Sequence, residues 1–340
     1  MDLDKLLIAP QTIAFATTYQ CNASCKNCCF GCSPQMKVRL SIEDMKCYID
    51  QALKFYSDSL KVLVLTGGES FLLKDDLIEI VKYASSKGLV TRIVTNAFWA
   101  KDYQTAYDIL LNLRENGLNE INYSTGDDHQ EWVPYDNIVN ACIAAMDLNL
   151  TCIVNVETHD NSIFDGNAFY QDSRLSTYFD YTKYERPLKI EKGLWIPFNS
   201  DSHITSDTIV PKEDISKTRC HSLFTTIAVN PFSYMMSCCG LVSEHILPLR
   251  LGSLKKHSIK ELYELQFTDL LKIWLYTEGP YNVLKYIYEK RGIHKKISGH
   301  ICAICAEIFR DIENIQCIKD NYDELFDTVM FKYILLRKTF

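Results

Sequence analysis

Thr17-Thr18-Tyr19-Gln20-Cys21-Asn22-Ala23-Ser24-Cys25-Lys26-Asn27-Cys28 is the stretch on which the reading of this chain turns. It places three cysteines, spaced Cys-x3-Cys-x2-Cys, on one short loop after an apolar run. Three such thiolates can hold three corners of a cubane [4Fe–4S] cluster and leave the fourth iron without a protein ligand. An open metal position is where chemistry takes place, since a fully ligated cluster only passes electrons. A zinc knuckle fits less well. It usually brings two closely spaced cysteine pairs, and beyond residue 32 the one such pair is Cys302 and Cys305, far along the chain.

Outward from that loop, apolar runs at 13–17, 62–65, 90–95, 121–124 and 152–156 alternate with helix-period segments at 41–55, 75–87, 103–116 and 135–147. Ser41 with Asp44 fits a capping box, and Gly88 a helix stop. The alternation predicts an α/β fold, a mainly parallel sheet with helices outside and ligands at the carboxyl ends of its strands. Thr66-Gly67-Gly68-Glu69 lies at one such end. Two glycines let backbone approach a ligand, and a carboxylate can pair with an ammonium; the string also fits a plain strand-to-helix turn. Asn96 and Ser124 end the next two strands and Asn155 lies within the fifth, although such residues also serve as turn formers. Asp127, Asp128 and His129 crowd the same end, either to polarise a substrate or as a solvated acidic loop.

The 340 residues, 47% of them hydrophobic, suffice for one large domain and a small one. The expected division is a tail at 1–10, a first domain at 11–198, a polar connection at 199–217 and a second domain at 218–340. Fourteen cysteines are many for an ordinary intracellular enzyme. Met1-Asp2-Leu3-Asp4-Lys5 lacks a basic signal-peptide start, so reduced, metal-binding thiols in the cytoplasm are expected. No apolar run approaches the roughly 20 residues of a membrane span, and a net charge of −7 argues against nucleic acid. Lys290-Arg291-Gly292-Ile293-His294-Lys295-Lys296 reads as a solvated loop or a dock for an acidic peptide.

A second thiol set lies beyond residue 217. Cys220 and Cys238 flank a hairpin expected from strands at 225–229 and 234–237 around Asn230-Pro231-Phe232-Ser233. Long helical segments follow, with a break at Gly279-Pro280, and Cys302 and Cys305 open another helix. Four thiolates from these places can enclose a second cluster, or a structural zinc ion. No cysteine follows within 306–316, so a third cluster is not expected. Cys239 directly follows Cys238 and is left free beside the metal. In extended backbone it points to the opposite face, where it is either a hydrogen-atom donor or a small buried hydrophobe. Cys29 and Cys32 pose the same question. Cys47, Cys142 and Cys152 are expected in the core, with Cys317 a spare buried thiol.

The cysteine loop with Gly67-Gly68-Glu69 resembles the radical SAM superfamily. Taken with Cys28-Cys29-Phe30, Ser70-Phe71-Leu72, Asn96-Ala97-Phe98-Trp99, Cys238-Cys239 and Ile301-Cys302-Ala303-Ile304-Cys305, the chain resembles the YydG (EpeE)-type radical SAM peptide epimerases. The resemblance implies a partial (β/α)6 TIM-like barrel with a small C-terminal α+β twitch-type domain, a shortened SPASM module. It implies two [4Fe–4S] clusters, held by Cys21, Cys25 and Cys28 and by Cys220, Cys238, Cys302 and Cys305. The amino and carboxylate groups of S-adenosylmethionine would chelate the open iron. Gly67, Gly68 and Glu69 would meet its amino group, and Asn96 its ribose or carboxylate. Ser124 and Asn155 match further contact positions. Phe30 would supply aromatic cover where Asn27 replaces a more usual aromatic residue, and Ala97 stands where Gly is more usual. The implied activity converts L-residues to D-residues in a ribosomally synthesised peptide. A 5′-deoxyadenosyl radical takes the Cα hydrogen and Cys239 returns one from the opposite face, with flavodoxin or ferredoxin as electron donor. Related activities are thioether or carbon–carbon crosslinking of a peptide, and twitch-type dehydrogenation of a small molecule. A non-catalytic zinc-bound binding protein stands outside the enzyme class.

Overall fold

Six strands carry the first part of the chain: β1 (Thr12–Thr18), β2 (Val62–Gly67), β3 (Val90–Thr95), β4 (Leu118–Thr125), β5 (Thr151–Thr158) and β6 (Lys189–Leu194). All pair in parallel with their sequence neighbours, with Phe15 beside Leu65, Val64 beside Arg92, Ile93 beside Ile121 and Ser124 beside Asn155. Parallel strands in sequential order, joined by helices, are the winding of an incomplete (β/α) barrel. The computed structural model describes residues 7–158, 162–195 and 215–338.

The crossover helices are α1 (Ile42–Tyr56), α2 (Asp75–Ser86), α3 (Tyr103–Glu115), the single turn α4 (Asp127–Gln130), α5 (Tyr135–Asp147) and the short α6 (Asn167–Gln171). Each long one buries a stripe of helical period, such as Leu77, Ile80, Val81 and Ala84 on α2. Alternate strand residues Leu63, Leu65, Ile93, Ile121 and Tyr123 are fully buried, and the Tyr123 hydroxyl donates to Ala141 O of α5 at 3.0 Å. Each such aliphatic side chain contributes about 1.5–3 kcal/mol. Ser41 Oγ accepts the Asp44 N–H at 3.1 Å, and Gly88 follows the end of α2 at φ 82°. β6 shows no apolar alternation: Lys189, Glu191 and Lys192 are exposed. Cys47 is exposed rather than in the core. The buried stripe of α1 runs Met45, Tyr48, Ile49 and Ala52, and position 47 falls outside it. Cys142 and Cys152 are buried as expected.

The chain divides into two compact units, Gln11–Pro197 with Val229–Ser233, and Met1–Pro10 with Phe198–Ala228 and Tyr234–Phe340. The strand β7 (Thr226–Val229) leads into the expected turn, closed by Ser233 N donating to Asn230 O at 2.9 Å. The second unit holds β8 (Tyr234–Met236), antiparallel to β9 (Arg250–Ser253), and helices α7 (Ile259–Leu265), α8 (Leu270–Arg291), α9 (Ile301–Arg310), α10 (Ile312–Asp320) and α11 (Tyr322–Lys338). The core of this unit gathers Phe224, Ile273, Leu284, Ile304, Val329 and Tyr333. Tyr263 Oη ties the N-terminal segment to it by donating to Ile8 O at 2.7 Å. α8 breaks where the sequence predicts: Gly279 has φ 82° and ψ 160°. Its hydrogen-only side faces Thr218 O, which a Cβ would meet at 2.1 Å.

In the basic segment, Lys290 pairs with Glu324 at 3.0 Å, Arg291 with Asp311 at 2.5 Å and Lys295 with Glu307 at 2.6 Å. These charges are balanced within their own unit, which favours the solvated reading over an acidic-peptide dock. Residues 1–6, and 199–214 of the expected connection, lie outside the described residues; Ile215–Lys217 form one 3-10 turn. Among the described residues no helix is long and apolar enough to cross a membrane.

Candidate functional site

The loop leaving β1 is pinned to the end of β2 by backbone alone. Gly68 N donates to Thr18 O at 2.6 Å and Glu69 N to Gln20 O at 2.9 Å. The two glycines are what permit this approach. A Cβ on Gly67, whose φ is 121°, would lie 2.5 Å from Thr18 O, and one on Gly68 would lie 2.2 Å from Gln20 O. The backbone they admit is therefore the segment that delivers Cys21, in addition to anything bound in the space beyond.

That space is a cavity of about 190 Å³. Cys21, Cys25 and Cys28 line it, together with Phe30, Gly67, Gly68, Asn96 and Ser124. Phe30 stacks on Tyr19 with centroids 6.1 Å apart. Asn96 Nδ2 donates to Asn22 Oδ1 at 2.9 Å and reaches Cys21 Sγ at 3.7 Å. Ala97 beside it adopts φ 57°, a left-handed conformation, and this is the position where the resemblance leads one to expect glycine. Two expected residues are not on the cavity wall. Asn155 pairs with Ser124 in the sheet but does not line the cavity. Glu69 is fully buried behind the wall. Its Oε1 accepts from Phe71 N at 3.1 Å and Thr95 Oγ1 at 2.8 Å, and its Oε2 from Asn96 N at 2.9 Å. It joins the ends of β2 and β3, and burial pushes its carboxyl up to about 7.

Asp127, Asp128 and His129 are not a solvated loop. Asp128 and His129 are buried on α4, and Asp127 accepts from Ile163 N at 2.6 Å and Phe164 N at 3.0 Å. His129 lines the cavity with its Nδ1 against Glu157 Oε2 and its ring 4.7 Å from that of Trp195. Glu157 and Trp195 carry no motif, and a buried carboxylate inside a strand has no spacing signal in sequence. Cys29 and Cys32 also line the cavity.

The thiols repel one another as anions. Burial raises Cys21 to about 11, with the Glu69 and Cys28 charges adding to it. Burial, then the Cys28 charge, pushes Cys25 up further. Cys28 is lowered to about 6, chiefly because the Cys32 thiol donates to it, helped by nearby backbone N–H groups. A cation at this set would displace the protons of Cys21 and Cys25 and join an anion already favoured at Cys28. Among the described residues no three His, Cys, Asp or Glu side chains could hold a single metal ion. A cubane spreads its thiolates over separate irons. The donor chemistry thus fits a cluster held by Cys21, Cys25 and Cys28.

In the second unit, Cys220, Cys238, Cys302 and Cys305 line one cavity of about 40 Å³ with Leu223, Gly240 and Pro280. Gly240 packs closely against two of the sulfurs, since a Cβ there would be 3.3 Å from Cys302 Sγ and 3.6 Å from Cys238 Sγ. His300 caps α9, its Nδ1 accepting the Cys302 N–H at 3.2 Å. Burial raises all four thiols, most strongly Cys238 and Cys305. Cys239 does not line this cavity and is exposed, while Cys238 beside it is buried. Cys317 is buried on α10.

No protein-family model matches the chain. YydG of Bacillus subtilis (strain 168) is 23% identical over 163 residues, 46% of this chain and 50% of YydG, so the chain spans about half the length of that relative. Among solved structures, native anSMEcpe with bound AdoMet and Cp18Cys peptide matches with a TM-score of 0.53 at 11% identity, over 94% of this chain and 99% of that one. A histidine-tagged form of anSMEcpe with bound AdoMet matches at 0.51 and 12% identity, over 94% and 99%. The chain therefore has the fold of the anSMEcpe structures, places three cysteines of one loop on the wall of a cavity, and is similar in sequence to YydG.

Proposed function

We propose that this chain is a radical SAM enzyme that epimerises L-residues to D-residues in a ribosomally synthesised precursor peptide. The observation that carries the reading is the meeting of Cys21, Cys25 and Cys28 with Gly67, Gly68, Asn96 and Ser124 around one cavity. The name of YydG places that relative in peptide biosynthesis, and anSMEcpe is known with a peptide bound. Both support a peptide substrate. Exposure of Cys239 next to buried Cys238 supports epimerisation, because a thiol outside the metal set stays available as a hydrogen donor.

When bound, a [4Fe–4S] cluster and S-adenosylmethionine supply the radical that removes a Cα hydrogen. Cys21, Cys25 and Cys28 would hold the cluster. Asn96 and Ser124 orient the ligand, Phe30 covers it, and Glu69 acts from behind by fixing Asn96 and the Gly67–Gly68 turn. Asn155 extends the Ser124 row. Cys220, Cys238, Cys302 and Cys305 hold a second cluster. Cys239 gives its S–H hydrogen to the planar carbon from the other face, and one electron and one proton then restore the thiol. Flavodoxin or ferredoxin is the proposed electron source. A reducing cytoplasm is the proposed setting, since there thiolates stay available to bind iron.

The test is turnover of a ribosomally synthesised precursor peptide in D2O. Epimerisation adds one deuterium per event and leaves the mass otherwise unchanged. Loss of two hydrogens would replace this reading with crosslinking. Cys239→Ala should still consume S-adenosylmethionine but form no D-residue.

A further inference from the structure

Between Cys25 and Cys28 the loop is held by a side chain 101 residues further along: Asn27 N donates to Asp128 Oδ2 at 2.7 Å. Asp128 is 6% exposed and sits on α4. α4 is fixed in turn by Glu157 of β5, whose carboxylate takes the N–H groups of Asp128 and His129 and contacts His129 Nδ1. Glu157 reaches that position because Gly126 has no side chain; a Cβ there would lie 2.3 Å from Glu157 Cγ. A buried chain of contacts therefore runs from the end of β5 through α4 to the middle of the cysteine loop. The other end of the loop is anchored separately, by Gly68 and Glu69 against Thr18 and Gln20. The two anchors lie on either side of Cys21 and Cys25, and Cys28 directly follows the second.

We propose that Asp128 is the positioning residue of the three-cysteine loop. By accepting the Asn27 N–H it sets the spacing between Cys25 and Cys28, and with it the lifetime and magnetic environment of the cluster they hold. The proposal rests on the cluster assignment above. A carboxylate–amide hydrogen bond is of the charge-assisted kind, and it acts on backbone, so the nature of the Asn27 side chain does not matter to it.

The test compares the reconstituted full chain with Asp128→Ala and Asp128→Asn, reading iron release to a chelator and the electron paramagnetic resonance spectrum of the reduced cluster. Cys25→Ala identifies the kinetic phase that belongs to the first cluster. Asp128→Ala should release that iron at least about tenfold faster, as expected for loss of a hydrogen bond to a charged group, and its spectrum should broaden. Asp128→Asn keeps an acceptor oxygen and should stay within about threefold of the parent. Equal rates for the parent and Asp128→Ala overturn the proposal. So does an Asn variant as labile as the Ala variant, which would assign the effect to charge. Circular dichroism of the apo proteins is the control. An Ala variant that fails to fold beside an Asn variant that folds but loads no first cluster also overturns it, and so does one beside an Asn variant that loads normally, because Asp128 would then serve the fold and not the loop. A parent protein that binds no iron overturns the cluster assignment and the proposal together.

Discussion

Replacing Gly68 by Ala tests whether the Gly-Gly turn exists to admit the protein's own backbone. The added Cβ would lie 2.2 Å from Gln20 O and 2.7 Å from Gln20 C. Both are backbone atoms and cannot rotate away, so the end of β2 must part from the 18–20 segment. Overpacking of this kind costs about 1–3 kcal/mol. The Glu69 N to Gln20 O bond of 2.9 Å stretches with it, at about 1 kcal/mol. The sum, about 2–4 kcal/mol, lowers the folding equilibrium constant about thirty- to a thousandfold. Urea unfolding of the apo protein, followed by circular dichroism, reads that loss. Iron uptake after reconstitution reads the displacement of Cys21 separately. Gly193→Ala is the control, because its Cβ would meet only Val156 O at 4.0 Å, and it should stay within about 0.5 kcal/mol. An unchanged urea midpoint with full iron content in Gly68→Ala would refute the steric argument.

Glu69 predicts a pH dependence in the apo protein. Its folded-state pKa is raised from 4.5 to about 7, so the stability it lends is complete below about pH 4.5 and is lost as pH climbs towards 7. The loss is about 3 kcal/mol; Glu69→Gln should flatten the urea midpoint across that window, and an unaltered slope would contradict the assignment. Ala97→Gly should change stability by less than about 1 kcal/mol, because relief of the left-handed strain offsets the buried methyl that is lost. Ala97→Val should cost more than about 2 kcal/mol, since a β-branched residue is poorly tolerated at φ 57°. Native alkylation followed by peptide mass mapping should label Cys47 quickly and leave Cys142 and Cys152 unlabelled until the chain is denatured; slow labelling of Cys47 would return it to the core.

The parallel sheet and the cysteine loop are legible in sequence because apolar alternation and thiol spacing are local signals. β1 to β5 lie within a few residues of their expected places. β6 is hidden by Lys189, Glu191 and Lys192, whose exposure removes any apolar period. The outward position of Cys47 is readable in retrospect, since Met45, Tyr48, Ile49 and Ala52 already mark the inward stripe of α1. That of Glu69 is not, since a Gly-Gly-Glu string does not say whether the carboxylate faces the cavity or the strand behind it. The contact from Asp128 to Asn27 joins residues 101 apart, and no local pattern announces such a pairing.

Sequential strand order bears on how the chain assembles as it leaves the ribosome. Each strand from β2 to β6 pairs with the one made just before it, so this part of the sheet can grow from its amino-terminal side without waiting for distant partners. Once residues 11–69 have emerged, β2 can dock on β1, and Gly68 and Glu69 can clasp Thr18 and Gln20. The thiol-bearing loop would then be partly shaped before the later strands are synthesised, early enough to receive iron while its surroundings are still open. Pulsed hydrogen exchange during refolding, with protection first at Leu63 and Leu65, would reveal that order.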